Sequence, residues 1–249
     1  MWPSTAFLLC LLLAPWAASA QMDTRIAFLG RQLGQGKDPR TRSQAALVLG
    51  ATEDPEAVPV LCSGLRDPSE LVRSAVAKGL GSLLEPAGLT CLQEHKGEAD
   101  AGVQAVVADA IQALKGYQAR APRLYLAVDA VKDRTGTLSP DLVKATETRL
   151  RSRLMRKGAW LAPAREPKAA AKGVLKKWGV HGYRITAEIQ AAENGGLRIG
   201  IVCMSYPELT LMGQVEVHAA GAPAADLLKA LIPKAIEEAA DTFEWSSET

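Results

Sequence analysis

Apolar positions recur at helical spacing up to about residue 116 and at a period of two further on, so the chain divides into two halves. Arg42-Ser43-Gln44-Ala45-Ala46-Leu47-Val48-Leu49-Gly50 aligns with Arg73-Ser74-Ala75-Val76-Ala77-Lys78-Gly79-Leu80-Gly81 at a shift of 31 residues, and the same shift reaches Gln104 to Ile111. Leu29, Val60 and Cys91 fall into register in the segments that precede these runs. The pattern predicts three helix pairs, at about 22–36 with 39–50, 55–65 with 68–83, and 86–96 with 101–116. Asp38-Pro39 and Asp67-Pro68 supply helix starts, an aspartate to cap free amides and a proline whose missing N–H costs nothing at the first helical position. The third unit has Asp100 followed by Ala101. Ala45, Ala46, Ala75, Ala77, Ala105 and Ala108 are expected to let helices approach closely, with Leu49, Leu80 and Ile111 filling the layer between them. A single pair buries too little to stand alone, so the pairs must stack as an α-solenoid.

The signature Asp67, Pro68, Val72, Arg73, Ala75 and Ala77 resembles the HEAT repeat, in the short variety similar to that of phycobilisome-lyase-type proteins. The resemblance covers about residues 22–116 and implies a binding surface more than a chemistry. A lyase would need a chromophore site, and no residues identify one. Gly30 to Lys37 is not a phosphate loop, because five residues separate Gly30 from Gly36 and Asp38 replaces the required Ser or Thr.

Beyond Gly116 to Pro122, Leu124 to Val128 reads as a strand ending at Asp129. A helix follows from Ser139-Pro140 to about Lys157, then a short strand at Trp160 to Ala162 and a helix at about 167–178. Tyr183, Ile185, Ala187, Ile189 and Ala191 alternate with polar residues as in a half-buried strand, and Asn194-Gly195 predicts a type I′ turn. Leu197, Ile199, Ile201 and Cys203 take the buried parity of the next strand, and Leu209, Leu211, Gly213, Val215 and Val217 that of the third. A helix at about 223–243 closes the half, with Pro233 expected to kink or interrupt it. The expected fold class is therefore α+β and multidomain: an α-solenoid over 21–120, then over 121–249 a small α/β sandwich with a mixed sheet in the order β-α-β-α-β-β-β-α. Leu124 to Asp129, the entry Trp178 to Ile185 and the hairpin through Gly213 resemble the small envelope domains of the TolB amino-terminal, LpoB and CsgG kind. That resemblance implies action through envelope partners and carries over no functional residue.

Composition adds a compartment. Phe7 to Leu13 is an apolar run, and Ala18-Ser19-Ala20 fits an A-x-A cleavage site, so residues 1–20 are expected to be a cleaved signal peptide and the protein periplasmic or secreted. The segment before the run carries no Lys or Arg, and a retained anchor is the competing reading, although the run is shorter than the ~20 residues that span a bilayer. No transmembrane span is expected once the leader is removed. Of the remaining cysteines, Cys62 and Cys91 lie on neighbouring helices of the repeat and form a candidate disulfide; the competing reading makes them, with Cys203, small buried apolar residues. No Cys or His spacing supports a metal, and no cofactor is expected.

Overall net charge is only +2, which argues against nucleic acid as a partner, but charge is unevenly placed. From Arg123 to Arg184 there are fifteen Lys and Arg against five Asp and Glu, whereas 185–249 has three against ten. Arg149, Arg153, Arg156 and Lys157 on one helix, with Lys172 and Lys176 on the next, form a candidate basic face over 144–177; it is either an ordinary solvated surface or a site for an anionic lipid or glycan. A second candidate lies on the sheet, where Val202, Met204 and Met212 interrupt the polar parity; their partner is either the helical half of the same chain or another protein. His95, His181 and His218 sit on different elements with no nucleophile in a recognised motif, so no catalysis is expected. The reading that unites these features is a non-enzymatic adaptor or scaffold for envelope proteins, with the anionic lipid or glycan module as its alternative.

Overall fold

A computed structural model describes residues 24–245, with the side chains of Thr24 and Asn194 excluded; the expected signal peptide lies outside the described residues. Six helices form the first unit: α1 (Thr24–Gln35), α2 (Pro39–Gly50), α3 (Ala57–Gly64), α4 (Glu70–Leu83), α5 (Ala87–Glu94) and α6 (Ala101–Gln118). Asp38 caps α2 by accepting from the Arg40 amide, and Asp100 caps α6 by accepting from the Val103 amide. At the α2–α4 crossing the backbones nearly touch: a Cβ on Gly79 would stand 2.8 Å from the Ala46 carbonyl oxygen. Ala45, Ala46, Ala75 and Ala77 are buried in the stack, as are Leu49 and Leu80. Ala105 and Ala108, expected in such a contact, are exposed, because α6 closes the stack and no fourth pair among the described residues covers its outer side.

A salt-bridge ladder follows the repeat. Arg42 binds Asp67 at 2.7 Å and donates to the Gly36 carbonyl; 31 residues on, Arg73 binds Glu98 at 2.7 Å and donates to the Asp67 carbonyl. Each arginine thus closes the turn of its own pair while holding an acid of the next. Cys62 of α3 and Cys91 of α5 form a disulfide across neighbouring pairs, with Cα atoms 5.8 Å apart.

The second unit holds β1 (Leu124–Val128), β2 (Lys132–Asp133), α7 (Pro140–Arg156), β3 (Ala159–Leu161), α8 (Lys168–Trp178), β4 (His181–Ala191), β5 (Leu197–Ser205), β6 (Leu211–Ala219) and α9 (Ala224–Thr242). The sheet is mixed, in the order β3-β1-β4-β5-β6, with β3, β1 and β4 parallel and the last three antiparallel. The sequence pattern misses β2, a two-residue continuation of β1 along β4 that resumes after Asp129 to Val131. α7 and α9 bury Leu150, Leu154, Leu228, Leu231 and Ile232 against Leu126, Ile185, Ile199 and Ile201 on the inner face. α8 covers the opposite face, where Trp178 meets Trp160 edge-on at 5.1 Å and Leu175 packs over Gly182. Successive crossovers in opposite directions along a sheet must use opposite faces if both are right-handed.

Three local expectations change. The β4–β5 turn is not a two-residue type I′ turn: Ala191 pairs with Leu197, and a 3-10 turn at Glu193–Gly195 fills the gap, with Gly195 at a φ of +73°. α9 continues through Pro233, held on both sides of the proline by a buried stripe from Leu227 to Ala240. The parity expected for β6 fails at its start. Cys203 pairs with Gly213 but Met204 with Leu211, so a bulge at Met212 turns Leu211 onto the outer face, where it is 67% exposed.

Candidate functional site

α7 is the pivot between the units. Arg149, 7% exposed, reaches Asp54 at 3.0 Å and Glu56 at 3.5 Å. Arg153 pairs with Glu53, and Arg156 holds Glu85 at 2.7 Å and the Glu53 carbonyl. Ser152 donates to Glu85, and Lys229 of α9 approaches Asp54 at 3.9 Å. The acids follow the helical period: Glu53-Asp54-Pro55 and Leu84-Glu85-Pro86 are 31 residues apart, and Glu53 and Leu84 both take left-handed backbone, at φ of 53° and 54°. That costly conformation re-aims the acid that follows it. Arg149 and Arg156 are two helical turns apart, about 10.5 Å, which matches the ~8–10 Å between packed helices in successive repeats. α7 therefore spans two consecutive loops of the stack.

The basic face expected over 144–177 divides accordingly. Arg149, Arg153 and Arg156 are consumed inside the chain, while Lys172 and Lys176 are exposed on α8, across the sheet from α7, with Lys172 3.1 Å from Glu208. Lys157 is exposed beside the junction. Sequence reasoning did not see that the arginines had partners in the same chain. The signal was there, an acid followed by proline at 54–55 and again at 85–86, in step with the repeat.

On the outer sheet face Val202 and Met204 are half-buried and Met212 is 48% exposed. Leu211 lies opposite Met204, and Leu209, 43% exposed, extends the same corner. Leu209 and Leu211 were expected inside. Among the described residues the ion pairs between the two units run through α7 and α9, not through this corner.

A third feature is a crevice of about 520 Å3 where β1 and β4 part from β3. In it Asp129 accepts from Arg184 at 2.7 Å and from Thr186 at 2.8 Å, and Glu166 accepts from the hydroxyls of Tyr125 at 2.8 Å and Tyr206 at 3.1 Å. Burial pushes the Tyr125 hydroxyl up and Glu166 adds to the shift, so both tyrosines stay protonated donors. Cys203 is buried, and burial raises its thiol to about 12, which leaves it a neutral apolar group. His95 lies 3.1 Å from Glu98, while His181 and His218 are exposed on separate strands. Among the described residues no cluster of His, Cys, Asp and Glu could hold a metal ion, and no helix is long and apolar enough to cross a membrane.

Residues 26–115 match HEAT repeats. The chain is similar over part of its length to a solved structure of human deoxyhypusine hydroxylase in complex with glycerol, at 27% identity over 36% of this chain and 32% of the hydroxylase, with a TM-score of 0.34. The chain thus spans about a third of the hydroxylase. A crystal structure of lipoprotein GNA1162 from Neisseria meningitidis is also similar, at 12% identity over 48% of this chain and 97% of the lipoprotein, with a TM-score of 0.29. No curated protein matches the chain.

Proposed function

We propose that this protein is a non-enzymatic adaptor of the bacterial periplasm or of the secreted space, whose HEAT array and outer sheet face hold envelope proteins together. The observation that carries this reading is the apolar corner Leu209, Leu211 and Met212 beside Met204 and Val202. It stays exposed although the HEAT array is already docked, and an exposed apolar cluster on a folded unit favours contact with a protein. Thioethers suit such a contact because they adapt to the shape of a partner. The apolar run Phe7 to Leu13, the Ala18-Ser19-Ala20 tripeptide and the Cys62–Cys91 disulfide support the compartment, since disulfides persist where thiols are oxidised.

The test is in-cell crosslinking and mass spectrometry of the tagged full-length protein, beside Leu211→Asp/Met212→Asp and Lys172→Glu/Lys176→Glu variants. The adaptor reading expects envelope proteins to be recovered with the wild type and the lysine variant, and lost with the corner variant. A cytosolic mature protein, or one with no stable protein contact in its compartment, would end it. Loss with the lysine variant alone would move the site to α8 and favour an anionic ligand.

A further inference from the structure

Between the HEAT array and the α/β unit lies a cavity of about 790 Å3, within the range of small-molecule sites. Among the described residues its wall contains Arg120, Arg123, Arg156 and Lys157 and no Asp or Glu. Arg156 is already shared with Glu85, but Arg120, Arg123 and Lys157 form no ion pair among the described residues. Like charges gathered around one partly enclosed volume repel, and an anion between them relieves that repulsion.

Hydrogen bonding points the same way. Of five buried side-chain polar atoms without a partner among the described residues, three belong to residues of this wall: the Tyr117 hydroxyl, the Trp245 indole Nε1 and Arg156 Nε. All three can donate, and buried donors left unpaired are costly enough to be rare. Trp245 is 7% exposed, so bulk water does not serve its N–H. Trp245 and Leu161 contribute apolar surface on the inner side of the sheet, whereas the Trp160 ring is turned against Trp178 and the Tyr117 ring is already engaged by the Arg120 guanidinium, 5.0 Å from its centroid.

We propose that this cavity binds a small organic anion, a carboxylate or phosphate monoester carried on a planar apolar body. Its acceptor oxygens would lie among Arg120, Arg123 and Lys157, and its apolar body against Trp245 and Leu161. Because both units line the cavity, such a ligand would bridge them. This site is separate from the sheet corner that carries the adaptor reading, and either can fail without the other.

Isothermal titration calorimetry of the full chain tests the proposal, with 1-naphthyl phosphate, inorganic phosphate and 1-naphthol as probes. The expected result is saturable one-to-one binding of 1-naphthyl phosphate, at least tenfold tighter than either other probe and weakened several-fold from 0.05 to 0.5 M NaCl. Arg120→Gln/Arg123→Gln should weaken it at least tenfold. Tyr117→Phe/Trp245→Phe, which keeps an aromatic ring at each position and removes both donors, should weaken it at least threefold with an unchanged far-ultraviolet spectrum. Three results would overturn the proposal: no heat of binding at millimolar 1-naphthyl phosphate, equal affinity for inorganic phosphate, or binding that both double variants leave intact.

Discussion

Glu98 concentrates more of the repeat's polar bonding than any neighbour in its loop. It accepts from Arg73 at 2.7 and 2.8 Å, takes the Asp100 amide at 2.9 Å and stands 3.1 Å from His95. The Arg73 hydrogen bonds, then the Asp100 amide, lower its pKa from 4.5 to about 2. Asp67, its counterpart one repeat earlier, is pushed up by burial, but Arg42 and the Ser69 amide outweigh this and hold it below its ordinary value. A carboxylate depressed in the folded state stabilises fully above its unfolded pKa, and that stability drains away as pH falls towards the folded pKa. Wild type should therefore lose stability between about pH 5 and pH 2. In Glu98→Gln that acid limb should be shallower, while stability at neutral pH should be lower. Urea unfolding at several pH values checks both; an acid limb of the same slope in both proteins would show that Glu98 does not carry it.

At the scale of elements, periodicity made most of the fold legible, because a stripe of buried side chains is written directly into the spacing of apolar residues. The six solenoid helices lie within a few residues of their expected bounds for this reason. What escaped depended on partners distant in sequence. The bulge at Met212 exists because β6 must fit β5, and β2 because β4 offers a free edge past Val128; neither leaves a local pattern. Arg149 was read as surface because a basic residue near a helix end is well placed there, and only the acids of another element make its burial tolerable. The disulfide tests the solenoid at this scale. It closes a loop of 29 residues between α3 and α5, and a cross-link of that span stabilises by about 3–4 kcal/mol through the unfolded chain. Cys62→Ser/Cys91→Ser should lower the stability of the helical unit by about that amount. Equal urea midpoints for the oxidised wild type and the double variant would refute it.

For the whole molecule, the two apolar cores are separate, and the charged side chains of α7 join them. A buried pair that loses one partner leaves an uncompensated charge, at a cost of about 3–5 kcal/mol. Arg149→Met should therefore leave Asp54, which is 3% exposed, with the more distant Lys229 in place of a hydrogen-bonded guanidinium, and loosen the junction more than either core. Hydrogen exchange should quicken in the 51–56 and 84–86 loops while the sheet keeps its protection. Asp54→Asn in the same chain should recover part of the loss, since it removes the stranded charge; no recovery would mean that Arg149 acts through packing alone.

The spacing of Arg149 and Arg156 also has a mechanical consequence. A stack of helix pairs with neighbour-only contacts behaves as a spring, since each pair can tilt on the next. Here one stiff helix is bolted across two successive joints, and Cys62–Cys91 ties the helices that follow them. α7 is thus a splint. Under load the array should transmit force as a short beam of fixed curvature, and the surface it presents should keep its shape.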